Sequence, residues 1–458
     1  MHRCPRFQSL IVLCVVGGAL ACGDVTTPLT ERGGIASKTL QQDGRQVGTA
    51  ENPYPRGRSE WMFFEIAQRV PAFGGVHRRG DVTVISVTDT IERESVHEAL
   101  RSWISDYARV RGLSDEDLEW RVVAFGYADL TEWRQSIATS IASGEDVSVS
   151  FVGVSERENR VVVGLRAQAA EASVRASLAS RGIPTEALTF KLAGMAASDA
   201  GLSFPEPSGS PGTPTTDTLL HETFDPTPGG VGAQYEADNE LIPCSFGFNA
   251  RKEDYSGDLG FLTASHCSET VGGVDGSVTF RQNGDSNPVG VEAIDPWFSC
   301  GWNCKLADAA WYEFESGRDA DFALIARTQD SLGNLPDSRK LGSPSRFQVN
   351  GAVSNPVEGD SVFKIGNATG WTTGEVQDTC VNFSRFGFTL ECQDLADYGR
   401  ATGDSGGPVL LPSGASYVVC IIGLHNGVQD ATGFGIFSAV ANIEGDLEFD
   451  LYVGPGVH

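Results

Sequence analysis

The sequence predicts a small α+β domain followed by an antiparallel all-β barrel or sandwich. Three observations carry this. At 458 residues the chain is too long for one ordinary core, so two folded units with linkers are expected. Glycine is abundant, at 54 residues, which suits a loop-rich β protein better than a helical bundle. From Gly229 onward, short strand-like runs alternate with Gly and Asn turns, and no long helical pattern appears until the last few residues.

The elements follow in order. Residues 1–21 read as a signal peptide: His2, Arg3 and Arg6 make a basic start, and Leu10–Leu20 is an apolar run too short to cross a bilayer as a mature helix. Ala19-Leu20-Ala21-Cys22 resembles a bacterial lipobox, although Leu is more usual where Ala19 stands. It would make Cys22 a lipidated residue and attach the protein to a membrane. Cleavage by an ordinary signal peptidase is the rival reading, and both export the chain. Residues 22–80, polar and broken by Gly and Pro, read as a flexible tether.

Residues 81–200 read as the α+β domain. Asp81-Val-Thr-Val-Ile-Ser-Val alternates like a strand. A helix is expected from about Glu92 to Val110, and a second is marked by Trp133, Ile137 and Ile141, which share one face. Val147–Val154 and Arg160–Leu165 read as two strands joined by a polar turn. A third helix over roughly Ala167–Ser180 stops at Gly182-Ile-Pro184. Residues 201–230, with Pro205, Pro207, Pro211, Pro214, Pro226 and Pro228 among Ser, Thr and Gly, cannot build a core and read as an exposed linker where processing cleavage would occur. Residues 231–454 form the β domain.

Charge narrows the function. Asp plus Glu number 60 against 34 Lys plus Arg, so the surface repels phosphate backbones and nucleic acid is excluded as a partner. The seven cysteines from Cys244 to Cys420 cluster in the β domain, which reads as a disulfide framework in an exported protein. No His stands at finger-like spacing from them and no spaced Asp loop suggests Ca²⁺, so neither a metal nor a cofactor is expected.

Three segments carry chemistry, in the order His, Asp, Ser. Leu262-Thr-Ala-Ser-His266-Cys267 ends a strand-like run. An Asp follows, either Asp308 in Ala307-Asp308-Ala-Ala or Asp321 in Ala320-Asp321-Phe-Ala-Leu-Ile. Gly403-Asp404-Ser405-Gly406-Gly407-Pro408 is the third. A Ser hydroxyl becomes a good nucleophile only when a neighbouring base takes its proton. A His can be that base and then the acid, and a carboxylate on its far nitrogen holds the tautomer. Glycines around Ser405 turn the backbone so that the amides of Gly403 and Ser405 can meet a developing oxyanion. The Gly-x-Ser-x-Gly spacing also fits the nucleophile elbow of α/β-hydrolases. That fold requires Asp and then His after the Ser, and His425 is too close while the strand–helix alternation is missing.

Thr263-Ala-Ser-His-Cys267 and Gly403–Pro408 resemble the two signature blocks of the trypsin/chymotrypsin (S1) family. The segment from about 229 to 450 resembles its bacterial streptogrisin-like members, with Cys244-Ser-Phe-Gly-Phe-Asn249, Thr369-Gly-Trp-Thr-Thr-Gly374 and Ala441-Asn-Ile-Glu444 adding to the match. The resemblance implies a chymotrypsin-like pair of six-stranded barrels with a triad of His266, Asp308 and Ser405 between them, Asp308 being preferred because Cys304-Lys-Leu-Ala-Asp308 occupies the family's place for the acid. It implies pairings Cys244–Cys267, Cys300–Cys304 and Cys380–Cys392, leaving Cys420 as a buried inert thiol. It also implies that Ile422-Gly-Leu-His425-Asn426-Gly427 lines the substrate pocket. His425 and the Thr402 hydroxyl stand where acid-specific members recognise the residue before the cut bond, with Arg400 as a further cation and Val428 as a departure. The other reading of His425 is a packed strand residue. Residues 81–200 resemble the propeptides of such proteases, a permanent accessory domain being the alternative.

The expected function is therefore an exported serine endopeptidase acting on protein or peptide substrates. An inactive protease-fold binding module and an esterase are the competing classes.

Overall fold

The structure is a computed structural model. It describes residues 60–111, 117–144, 148–192, 196–197, 223–237, 240–252, 257–274, 279–282, 285–297, 304–326, 346–385, 388–413, 418–429 and 432–453. The signal peptide, Cys22, Cys300 and the proline-rich part of the linker up to residue 222 lie outside the described residues.

Regular structure begins earlier than Asp81. Helix α1 (Trp61–Arg69) and strand β1 (Phe73–Arg79) occupy the end of the expected tether. They are held because Phe63, Phe64, Ile66 and Phe73 are buried against helix α2 (Arg93–Arg111), whose Val96, Leu100, Trp103 and Tyr107 recur on one face. Strand β2 (Val82–Val87) pairs antiparallel with β1 and parallel with β3 (Leu118–Val122). Helix α3 (Tyr127–Ala142) buries Ile137 fully, with Trp133 and Ile141 flanking it, as the sequence stripe predicted. It packs on β4 (Val149–Ser155) and β5 (Arg160–Leu165), against helix α4 (Glu171–Ser180) and strand β6 (Leu188–Leu192). The short strand β7 (Ala196–Ala197) follows.

From residue 223 the chain is a double antiparallel β-barrel. Its strands are β8 (Thr227–Gly229), β9 (Gly232–Ala237), β10 (Glu240–Ser245), β11 (Asn249–Lys252), β12 (Leu259–Thr263), β13 (Thr279–Gln282), β14 (Gly290–Ile294), β15 (Cys304–Lys305), β16 (Ala310–Phe314), β17 (Ala320–Ala326) and β18 (Arg346–Ala352). They continue with β19 (Ser361–Gly366), β20 (Gly370–Arg385), β21 (Phe388–Ala396), β22 (Pro408–Pro412), β23 (Val418–Gln429), β24 (Phe434–Ala439), helix α5 (Val440–Leu447) and β25 (Leu451–Tyr452). The first sheet runs β10-β9-β13-β14-β16-β12-β11-β25 around Phe246, Phe261, Phe280 and Tyr312. In the second, β21-β24-β23-β22-β19-β20 form the continuous antiparallel part.

The linker reading fails at its end: β8 is buried at all three positions and pairs with β17, so the barrel begins before residue 231. The α+β region is also joined to the second barrel, because β4 pairs antiparallel with the long strand β20 and its sheet continues through β5 to β6. Strand β7 pairs with the end of β23, Ala197 opposite Val428 and Ala196 opposite Gln429.

Disulfides Cys244–Cys267 and Cys380–Cys392 are formed. Cys304 and Cys420 are disulfide-bonded as well. Cys420 is thus no inert thiol. It is fully buried, as its apolar run implied, but burial does not distinguish a thiol from a disulfide.

Candidate active site

The site forms where three turns converge. His266 sits in the turn that ends β12, tied by Cys267 to Cys244 on β10. Its ring Nδ1 lies 2.7 Å from Asp308 Oδ2, and its backbone N–H donates to Asp308 Oδ1 at 3.0 Å. Two contacts from one carboxylate fix both the backbone and the ring of the histidine. Asp321 is elsewhere: its carbonyl accepts from the Asn249 side chain at 3.3 Å, and it is half-buried on β17.

Asp308 is itself held from three sides. Its N–H donates to Ser438 Oγ at 3.0 Å. Asp446 on α5 accepts from the N–H groups of Leu306 and Ala307 at 3.0 and 2.9 Å. Gln393 donates to Leu306 O at 2.7 Å. Asn426, expected at the substrate, turns its side chain into this network instead, donating to Ser438 Oγ at 2.9 Å and Gln393 Oε1 at 3.1 Å. The reason is local: the β23–β24 register slips between His425 and Gly427, so Asn426 is the extra residue of a bulge.

Ser405 sits in the turn before β22, fully buried, its hydroxyl without a hydrogen-bond partner among the described residues. Ser245 clamps this turn from the other barrel: its N–H donates to Ser405 O at 2.8 Å and its hydroxyl to Gly403 O at 2.9 Å. Cys267 Sγ lies 3.7 Å from Ser405 O, which sets the Ser turn against the His turn. Gly403 and Gly406 have φ of 100° and 84°, and a Cβ on Gly406 would overlap Thr263 Oγ1. The N–H groups of Asp404, Gly406 and Gly407 are bonded to carbonyls, whereas no protein acceptor is recorded for those of Gly403 and Ser405 among the described residues.

Beneath the turn, Asp404 is fully buried and accepts from Lys364 Nζ, from Thr369 Oγ1 at 2.6 Å, and from the N–H groups of Ala368, Thr369 and Ala401 at 2.9, 3.1 and 2.9 Å. Burial works to raise this carboxyl. The Lys364 charge and the bonds from Lys364 and Thr369 outweigh it and hold the group below the usual carboxylate range. A second buried pair backs His266: Lys305 Nζ reaches Asp295 Oδ1 at 2.9 Å and Ser265 Oγ at 3.0 Å.

Ser245, Lys364, Lys305, Ser438 and Asp446 were not predicted. One signal existed: Val362 and Lys364 share the inward face of β19, and a lysine at an inward strand position needs a buried partner. His425 lies on β23, fully buried, its carbonyl accepting from Gly406 N–H at 2.8 Å. Gly427 follows it on the same strand, opposite Ile436. Thr402 is half-buried in the turn before Gly403, and Arg400 Nε donates to Gly433 O at 3.2 Å. Chemically, the arrangement offers a base with a fixed tautomer, a hydroxyl, and two backbone donors.

No family model and no curated protein matches the sequence. Among solved structures, the chain is similar to Thermobifida fusca Protease A at 23% identity, with 50% of this chain and 98% of that one covered and a TM-score of 0.35. A Nocardiopsis protease matches at 23% identity over 49% of this chain and 98% of its own, with a TM-score of 0.35. A third structure, described as a glutamic acid specific serine protease that utilizes a histidine triad in substrate binding, matches at 19% identity over 50% of this chain and all of its own, with a TM-score of 0.36.

Proposed function

We propose that the chain is an exported serine endopeptidase that cuts peptide bonds through His266, Asp308 and Ser405, with a preference for an acidic residue before the cut bond. The observation that carries the reading is the double contact of Asp308 with His266, set against a Ser405 turn clamped by Ser245. Ser405 Oγ attacks the substrate carbonyl while His266 Nε2 takes its proton. Asp308 stabilises the resulting imidazolium and keeps the ring in the productive tautomer. The Gly403 and Ser405 N–H groups receive the oxyanion, each donor being worth about 2.7–4 kcal/mol in comparable sites. The imidazolium then protonates the leaving amine, and water activated by the same base hydrolyses the acyl-enzyme. The acidic preference rests on His425, whose ring could donate to a carboxylate.

The test is a peptidase assay with fluorophosphonate labelling. Ser405→Ala should lose about a million-fold in kcat and all labelling while keeping the wild-type unfolding temperature. Asp308→Asn should lose about 10⁴-fold, because the histidine tautomer is no longer held, and Asp321→Asn should lose little. Wild-type activity in Ser405→Ala would make the chain a protease-fold binding module with a contaminant. Loss confined to Asp321→Asn would reassign the acid.

A further inference from the structure

Ser265, Asp295 and Lys305 are buried together behind His266. Ser265 enters the turn that carries His266, and Gly272 leaves it with a φ of 71°. Asp295, just past the end of β14, closes that turn: its Oδ2 accepts from Ser265 Oγ and from the Gly272 N–H, both at 2.8 Å. Lys305, on β15 three residues before Asp308, donates to Asp295 Oδ1 at 2.9 Å and to Ser265 Oγ at 3.0 Å. The Ser265 hydroxyl spends its one proton on Asp295, and its lone pairs meet Lys305 and, at 3.2 Å, the Gly272 N–H. Three separate segments are thereby pinned together, among them the two that carry His266 and Asp308.

Hydrogen bonding alone does not call for an ion pair here. A neutral amide at position 295 could accept the same bonds from Ser265 and Gly272. Burial raises the Asp295 carboxyl above its ordinary 3.8, against the pull of Lys305, Ser265 and the Gly272 N–H. What the pair adds is cancellation. His266 must be neutral to take the Ser405 proton and positive immediately afterwards. A lone carboxylate behind it would favour the positive ring and withhold the base, and a lone ammonium would oppose the imidazolium. The other ionisable groups against the turn are Asp308 on the ring, Tyr235 and Glu269 on its outer side, and Asp446, which accepts from the Leu306 and Ala307 N–H groups. Burial pushes Tyr235 up to about 12, so that phenol stays neutral.

We infer that Lys305 and Asp295 are positioning residues for the proposed reaction, pinning the His266 turn to the segment that carries Asp308 without adding net charge behind the ring. This rests on the endopeptidase reading. Both residues act through the turn.

The experiment compares secreted wild type with Lys305→Met, Asp295→Asn and the double variant, in kcat per fluorophosphonate-labelled site, KM and the pH profile of kcat/KM. Activity needs the neutral ring, so the acid limb of the profile follows its protonation. Lys305→Met leaves a carboxylate behind the ring and should move the limb to higher pH. Asp295→Asn leaves an ammonium and should move it to lower pH, each by about half a unit or more. The double variant should return the limb to its wild-type place and keep KM within about twofold, yet lose about tenfold in kcat because the turn is no longer pinned. Limbs that stay in place or move the same way in both single variants would overturn the inference. So would a double variant with wild-type kcat, which would leave the pair a stabiliser only. Should Lys305→Met fail to fold, Asp295→Asn and the double variant decide, since replacing a whole buried pair is far milder than breaking one. In full-length Ser405→Ala, the ¹⁵N titration of His266 should show the same opposite displacements. It reads the ring without turnover, so a wild type that hydrolyses nothing would sink the endopeptidase, while the titration still decides the role of the pair.

Discussion

Asp404 shows how one buried residue organises the Ser405 turn from beneath. The carboxylate next to Ser405 is buried where an unpaired charge could not persist, and Lys364 neutralises it from β19 while backbone donors saturate both oxygens. Lys364→Met leaves that carboxylate uncompensated, a change that typically costs about 3–5 kcal/mol. Expected outcomes are a large fall in unfolding temperature and a fall in the fraction of molecules that label with fluorophosphonate. Because the Asp404 carboxyl is held low, its stabilisation is present above its ordinary value of 3.8 and is lost as pH falls further. The wild type should therefore survive mild acid, and Lys364→Met should not. Equal labelling and equal melting of the two proteins would refute the role.

Single elements differ in how openly the sequence declares them. Helix α2 and the one-face stripe of α3 were legible because a helix shows its buried face within two turns. Strand β1 was not: Gly74, Gly75, His77, Arg78 and Arg79 look like a loop, and they become a strand only because β2 pairs with them and Arg78 donates to Thr83 and Glu358. His266 and Ser405 announced themselves by motif. Asp308 was preferred over Asp321 only through the family resemblance, since its contact with the His266 ring is made by the fold, and the barrel-spanning clamp of Ser245 joins residues far apart in sequence. The pairing of β4 with β20 is similarly non-local and left no trace in either segment. The strands flanking the linker narrow the expected processing site. Strand β8 is buried, and Asn249 donates to Thr227 O at 2.7 Å, so a cut there would damage the barrel. Cleavage is expected within residues 201–226. N-terminal sequencing of the active secreted form checks this, and a start downstream of Gly229 or an uncut active enzyme contradicts it.

At the scale of the molecule, the α+β region meets the barrels through a cluster of buried carboxylates. Glu60 and Glu156 come from the N-terminal side, and Glu358, Asp378 and Asp394 from the barrel. Thr379, Ser155, the Arg157 N–H and Lys191 bond them. Burial pushes Glu60 and Glu358 up to about 7, and burial with neighbouring acids raises Glu156 and Asp394 further from their ordinary range. Asp378 is raised by burial against the pull of Lys191. The docked form thus holds more protons than the separated one, so docking is strongest below about 4.5 and weakens as pH rises through about 7. His77 opposes this: burial and nearby arginines lower it to about 4, so its contribution is present above 6.5 and lost as pH falls through about 4. With the carboxylates outnumbering the imidazole, hydrogen exchange of the β4 amides in full-length Ser405→Ala, corrected for intrinsic rate, should lose protection from pH 5 to 8, and less so with Glu60→Gln added. Protection that holds or grows over that range would contradict the scheme. Strand β7 gives the same contact a kinetic meaning. It pairs with β23 just past His425, and under the proposed endopeptidase reading, in which β23 lines the substrate pocket, it would take the edge to which an extended substrate adds as a strand. A competitor tied to the same chain acts at an effective concentration of about millimolar, whatever the dilution of the protein. Micromolar peptide cannot outbid it. A break in the linker turns the same segment into an ordinary solute, whose occupancy then falls with every dilution.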